Sequence, residues 1–277
     1  MEGLFWIILS SIFVFGAAIG SFLNCWIWRF ETGQSALRGR SMCPKCRHSL
    51  AWFDLVPLAS FFFLRGRCRY CQKPISWQYP AVELATGFLF CAAAWKFAPL
   101  VLAGKFLFFN IFELVAWWVI LAALIVIFVI DLRHYLIPDE AIAWGVIGAL
   151  GLQLARFWES QTLFGRFEWQ IILDPVWAGL AAAGFFLAVF LAGRGKWLGF
   201  GDVKLAFLMG LALGFPQALA ALFLGNFFGA IMGLGMIAAN KMKMSSKIPF
   251  GPFLVAGTLA AAFFFEFILD FYLSIGT

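Results

Sequence analysis

Two aspartates stand where an acid is hardest to explain by chance. Asp131 closes the apolar run Ile127-Phe128-Val129-Ile130, and Asp202 lies in Gly199-Phe200-Gly201-Asp202-Val203-Lys204, just before another apolar run. Acids inside or at the ends of such runs are costly, and they mark functional sites by default. If the two segments meet, the carboxyl groups meet with them. Like charges a few ångströms apart cannot both ionise, so one acid keeps its proton. The charged partner then takes a proton from water while the neutral one polarises a carbonyl, which is aspartyl peptide hydrolysis. Gly199 and Gly201 allow close backbone approach and leave room beside an extended substrate. Taken singly, each acid also fits a solvated or capping residue at a helix end.

A second group is the cysteines of residues 29–79. Cys43-Pro44-Lys45-Cys46 and Cys68-Arg69-Tyr70-Cys71 form two CxxC knuckles at a spacing close to that of four-cysteine zinc sites. Four thiolates complete a tetrahedron around Zn²⁺ and leave no open position, which favours a structural over a catalytic metal. Their net charge with zinc, about −2, suits the neighbouring Lys45, Arg47, Arg67 and Arg69. Two disulfides are the alternative, disfavoured if the loop faces a reducing cytoplasm. His48 reads as a surface residue, and Cys25 and Cys91, in apolar runs, as packing residues.

What must position these groups follows from composition. The 277 residues are 64% hydrophobic and 12% charged, against roughly 45–50% and about 25% in soluble domains. That balance excludes an ordinary soluble globule, a disordered chain and a disulfide-dense secreted domain, and points to a polytopic helical membrane protein. Its long apolar runs also argue against an outer-membrane barrel. At about 20 residues per crossing, eight spans are expected: 4–28, 80–98, 109–131, 140–156, 176–193, 203–214, 217–239 and 251–274. The sixth is short and ends at Gly214-Phe215-Pro216, so it reads as a half-helix or re-entrant segment, tolerated only inside protein or beside water. The first lacks a cleavable signal's charged start and small-residue cleavage site and is read as a retained helix. The expected division is a first transmembrane helix at 1–28, a cytoplasmic zinc-binding domain at 29–79 and a transmembrane core at 80–277.

The net charge of +6 is explained by where the basic residues fall. Sixteen Lys and Arg lie in the alternate loops after spans 1, 3, 5 and 7, Arg38 and the 241–247 lysines among them; four (Lys96, Lys105, Arg156 and Arg166) lie on the opposite side. By the positive-inside rule the cysteine loop, Asp131 and Asp202 face the cytoplasm, and both termini lie outside. Anionic lipid is then partner enough for the charge, and no nucleic-acid partner is implied. Asp139, after Pro138, reads as a helix-start residue. Arg133 and His134 read as turn residues, and Lys204 as either a steering charge or a headgroup anchor. Glu83 and Asn24 are expected to pair within the bundle, while Glu113, Glu266 and Asp270 suit the outer interface.

These pieces, in this order, resemble the type IV prepilin peptidase family of GxGD aspartyl proteases. The resemblance covers nearly the whole chain: Gly20-Ser21-Phe22-Leu23-Asn24 in the first span, both cysteine knuckles with Leu64-Arg65-Gly66-Arg67 before the second, and Ile75-Ser76-Trp77-Gln78-Tyr79-Pro80-Ala81-Val82-Glu83. It continues through Asp131 to Ile137-Pro138-Asp139 and through Gly199 to Lys204. At Gln78 the family pattern has a basic residue. The resemblance implies that Asp131 and Asp202 are the catalytic pair, with Gly199, Gly201 and Lys204 as supporting motif. It implies an enzyme that removes the basic leader of type IV prepilins or pseudopilins, after a glycine, at the cytoplasmic membrane face. It further implies N-methylation of the new terminus using S-adenosylmethionine, for which the sequence holds no Gly-rich nucleotide turn. Two other readings compete. A transporter with a zinc-stabilised loop would carry acids nearer the midplane and paired repeats. A related GxGD protease for other substrates would not need the cysteine loop.

Overall fold

The computed structural model describes residues 2–34, 39–102, 108–165, 168–239 and 248–275. It is almost wholly helical: α1 (Glu2–Glu31), α2 (Ala59–Phe63), α3 (Gln78–Phe97), α4 (Pro99–Leu102), α5 (Phe108–His134), α6 (Asp139–Phe164), α7 (Gln170–Ala192), α8 (Phe200–Leu213), α9 (Gln217–Ala238) and α10 (Gly251–Ile275). Each of the eight expected spans has its helix. Six of them, α1, α5, α6, α7, α9 and α10, are long and apolar enough to cross a bilayer among the described residues. The other two are α3, which carries Glu83 and Lys96, and the 14-residue α8. The chain is a multi-pass membrane protein.

The residues fall into two compact units, 1–114 and 115–277. In the first, α1 lies along α3 with small residues at the seam. A Cβ on Gly16 would meet Gly87 Cα at 2.9 Å, and one on Gly20 would meet Glu83 Cα at 2.8 Å. Lipid tails are as apolar as leucine, so helix association here depends on such backbone proximity rather than on hydrophobic burial.

The second unit is built around α8. Its residues Leu205, Ala206, Leu208, Met209, Leu211 and Ala212 are all buried, and α6, α7, α9 and α10 pack around it. A short helix that could not satisfy a bilayer alone is thus enclosed by longer ones. Gly210 touches α7 so closely that a Cβ would sit 2.5 Å from the Ala178 carbonyl. Gln153 of α6 donates to the Leu211 carbonyl at 2.9 Å. Past α8, Gly214 takes a φ of +70°, a conformation that favours glycine, and the Phe215 N–H donates to Asp174 on α7 at 3.0 Å. α7 starts at Gln170, ahead of the expected 176, and carries Pro175 inside it.

Candidate active site

Asp131, near the end of α5, and Asp202, in the first turn of α8, are both buried, at 5% and 8% exposure. They are close enough for the charge of Asp131 to bear on Asp202. Each is held by a backbone donor. The Gly199 N–H donates to Asp202 Oδ2 at 3.1 Å, closing a cap across the start of α8. The Gly251 N–H, the first of α10, donates to Asp131 Oδ2 at 2.8 Å. Three helices of the second unit, α5, α8 and α10, therefore converge on the two carboxyl groups.

The glycines of the motif have separate tasks. A Cβ on Gly199 would come within 3.3 Å of Asp202 Oδ2, while one on Gly201 would meet Ile137 Cβ at 3.0 Å. Gly201 thus lets the turn between α5 and α6 lie against the start of α8. Lys204 is paired with Asp139 and lies over the Phe200 ring, 5.2 Å from its centroid. Asp139 is the first residue of α6, with Pro138 as the flanking residue, and its carboxylate ties the start of α6 to the start of α8.

Gly251 is a residue the sequence reading passes over. The available signal is Pro249-Phe250-Gly251-Pro252, a break before a helix start with glycine inside it. Nothing local says that the break lies against an acid 120 residues earlier.

The four cysteines of the loop gather in the first unit. Sγ atoms of Cys43, Cys46, Cys68 and Cys71 all lie within 4.8 Å of one another, and all are free thiols. Zn–S bonds of about 2.3 Å set tetrahedral sulfurs a little under ~4 Å apart, so this donor set is compatible with zinc. The two knuckles are built alike. Cys43 N–H donates to His48 O at 3.0 Å and Arg47 N–H to Cys43 O at 2.8 Å; Cys68 N–H donates to Lys73 O and Gln72 N–H to Cys68 O, both at 2.9 Å. Arg47 and Gln72, the residue after each knuckle, both have positive φ, at 58° and 57°. Burial raises the Cys43 thiol, but hydrogen bonds from the Cys46 and Lys45 backbone and from the Cys46 and Cys68 thiols together lower its pKa to about 7, while hydrogen bonding among the thiols raises Cys46, and burial raises Cys68.

Asp54 ties the module together, accepting from Arg69 Nε at 2.8 Å and Tyr70 Oη at 2.9 Å. Glu83 accepts from the Leu58 N–H of the loop at 2.7 Å and is also hydrogen-bonded by the Ser21 side chain of α1, within the bundle. Asn24 does pair across α1 and α3, donating to the Tyr79 carbonyl at 3.0 Å and accepting from Gln78 at 3.5 Å. Of the basic residues used for orientation, Arg38, Lys105, Arg166, Lys241, Lys243 and Lys247 lie outside the described residues.

Comparison with known proteins follows the same two-part division. Residues 14–97 match a family model described as the bacterial peptidase A24 N-terminal domain, and residues 118–234 match the type IV leader peptidase family. A protein of Bacillus subtilis (strain 168) named prepilin leader peptidase/N-methyltransferase is 33% identical over 268 residues, covering 96% of this chain and 98% of its own. Proteins of the same name from Aeromonas hydrophila and Legionella pneumophila are 32% and 30% identical; the alignments cover 94% and 97% of this chain, and 92% and 95% of theirs. No solved structure matches the chain significantly.

Proposed function

The chain belongs to the type IV leader peptidase family, and on that premise we propose that it cleaves the leader from type IV prepilins or pseudopilins with Asp131 and Asp202 as its catalytic acids. The observation that carries this reading is that two buried carboxyl groups, each held by a backbone N–H at the ends of α5 and α8, lie near enough for the charge of one to bear on the other. One acid is charged and takes a proton from water as the water attacks the scissile carbonyl. The other is neutral and hydrogen-bonds the carbonyl oxygen as negative charge builds there. The roles then reverse to protonate the leaving amine. No covalent intermediate forms on the enzyme.

By the charge distribution, Asp131, Asp202 and the cysteine module face the cytoplasm and the termini the outside. The substrate's basic leader would then stay inside, and its apolar helix would enter the bilayer just after the cleaved bond. We read 1–28 as the first transmembrane helix, 29–79 as the zinc-binding domain and 80–277 as the peptidase core. Cys43, Cys46, Cys68 and Cys71 would hold one structural Zn²⁺ that ties both knuckles together. Gly199, Gly201 and Lys204 would support the second acid. The relatives' name includes N-methyltransferase, which supports methylation of the new amino terminus with S-adenosylmethionine as methyl donor.

The test is prepilin cleavage by inserted, folded variants. Asp131→Asn and Asp202→Asn should each lower leader removal by about 10²–10⁴-fold or more, since an amide keeps the shape but neither takes nor shares the proton. Efficient cleavage by either variant would remove the aspartyl mechanism.

A further inference from the structure

We propose that Gly251 is a positioning residue for this reaction: its N–H holds Asp131 in register with Asp202, and only glycine leaves space for that carboxyl group. The proposal rests on the reading of Asp131 as a catalytic acid. Two independent features of the geometry carry it. Gly251 is the first residue of the 25-residue α10, and its N–H is one of the donors that a helix cannot satisfy internally. That donor is aimed at Asp131 Oδ2, at 2.8 Å. The aligned peptide dipoles behind it add attraction for negative charge within the first turn.

The second feature is steric. A Cβ at position 251 would lie 2.6 Å from Asp131 Oδ2, 3.1 Å from its Cγ and 3.3 Å from its Cβ. The first distance is below any ordinary contact, so the carboxyl group or the helix must move. Ramachandran freedom does not account for the glycine, because Gly251 is absent from the positive-φ residues. What distinguishes the position is the carboxylate beside it. Phe250 and Pro252 flank it, and Pro252, in the first helical turn, lacks an N–H with which to replace the Gly251 donor.

A displacement of about 1 Å at a catalytic group costs on the order of 10²-fold in rate. Gly251→Ala should therefore lower kcat for leader removal by roughly that factor, with KM for prepilin within about twofold, because the lost term acts in the transition state. Gly257→Ala is the comparator for crowding alone. Its Cβ would strike the Ala221 carbonyl and lie 2.6 Å from Gly225 N on α9. It should lower Tm while the folded fraction keeps its kcat. A further measurement reads the contact without catalysis. Asp131→Ala in the Gly251→Ala background removes the crowded Oδ2 and Cγ, so Tm, or insertion if the single variant fails to insert, should recover.

Wild-type kcat in Gly251→Ala, a change confined to KM, or no recovery in the double variant would overturn the proposal. Cleavage by Asp131→Asn would overturn the dyad and this proposal together, whereas normal cleavage by Gly251→Ala beside a dead Asp131→Asn would overturn this proposal alone.

Discussion

A buried carboxyl group needs a donor, and in this protein the donors to the two central acids are backbone amides at helix starts. The nearby ion pair, Lys204 with Asp139, is turned outward: the Asp139 side chain is 75% exposed. Exposed pairs contribute about 0.2–1 kcal/mol, so Asp139→Asn should keep most leader cleavage and cost no more than that in stability, read by cleavage rate and Tm side by side. A dead Asp139→Asn beside an active Asp131→Asn would mean that the wrong aspartate of the motif has been chosen. Asp131 and Asp202 were legible in the sequence because an acid in an apolar run is conspicuous. Gly251 was not, because its requirement comes from an acid far away in the chain. From the sequence, Lys204 reads as a steering charge or a headgroup anchor; its pairing with Asp139 depends on how α6 and α8 meet.

At the scale of elements, hydropathy located all eight apolar segments but not their ends. α6 runs on to Phe164, past the expected 156, since polar stretches such as Glu159 to Gln161 stay helical without being apolar. The shortness of α8 was visible; that α6, α7, α9 and α10 would surround it was not, because glycine seams such as Gly210 against Ala178 are matters of three-dimensional fit. The cysteine loop was read as one metal-tied piece, yet it also contains α2 and the Glu83–Leu58 tether. Metal binding supplies folding free energy to such modules. Cys68→Ser with Cys71→Ser should therefore release about one Zn²⁺ per chain and open residues 43–71 to proteolysis, both measurable on purified protein by metal analysis and limited digestion. Full zinc content in that variant would refute the site. Methylation should fall at least as far as cleavage if the module serves the second activity.

For the molecule as a whole, the strongest organising fact is the contrast between sixteen basic residues in one set of loops and four in the other. By the positive-inside rule it would orient the chain, and with it the acids, toward the side where a basic leader would be held. Membrane-impermeant thiol labelling of cysteines introduced near residue 2 and residue 195 should find the first outside and the second inside; the reverse pattern would invert the scheme. Composition was enough to infer a multi-pass membrane protein, because it is a property of the chain before it folds. The convergence of α5, α8 and α10 on two carboxyl groups needed the structure. On the reading above, this convergence cleaves leaders from prepilins. Its most direct test is the mass of a purified prepilin incubated with the wild-type protein or with Asp202→Asn, with and without S-adenosylmethionine. The account predicts loss of the leader with wild type alone, gain of one methyl group when the donor is added, and an unchanged mass with Asp202→Asn. An intact leader after wild-type incubation, or a leader removed equally well by Asp202→Asn, would contradict it.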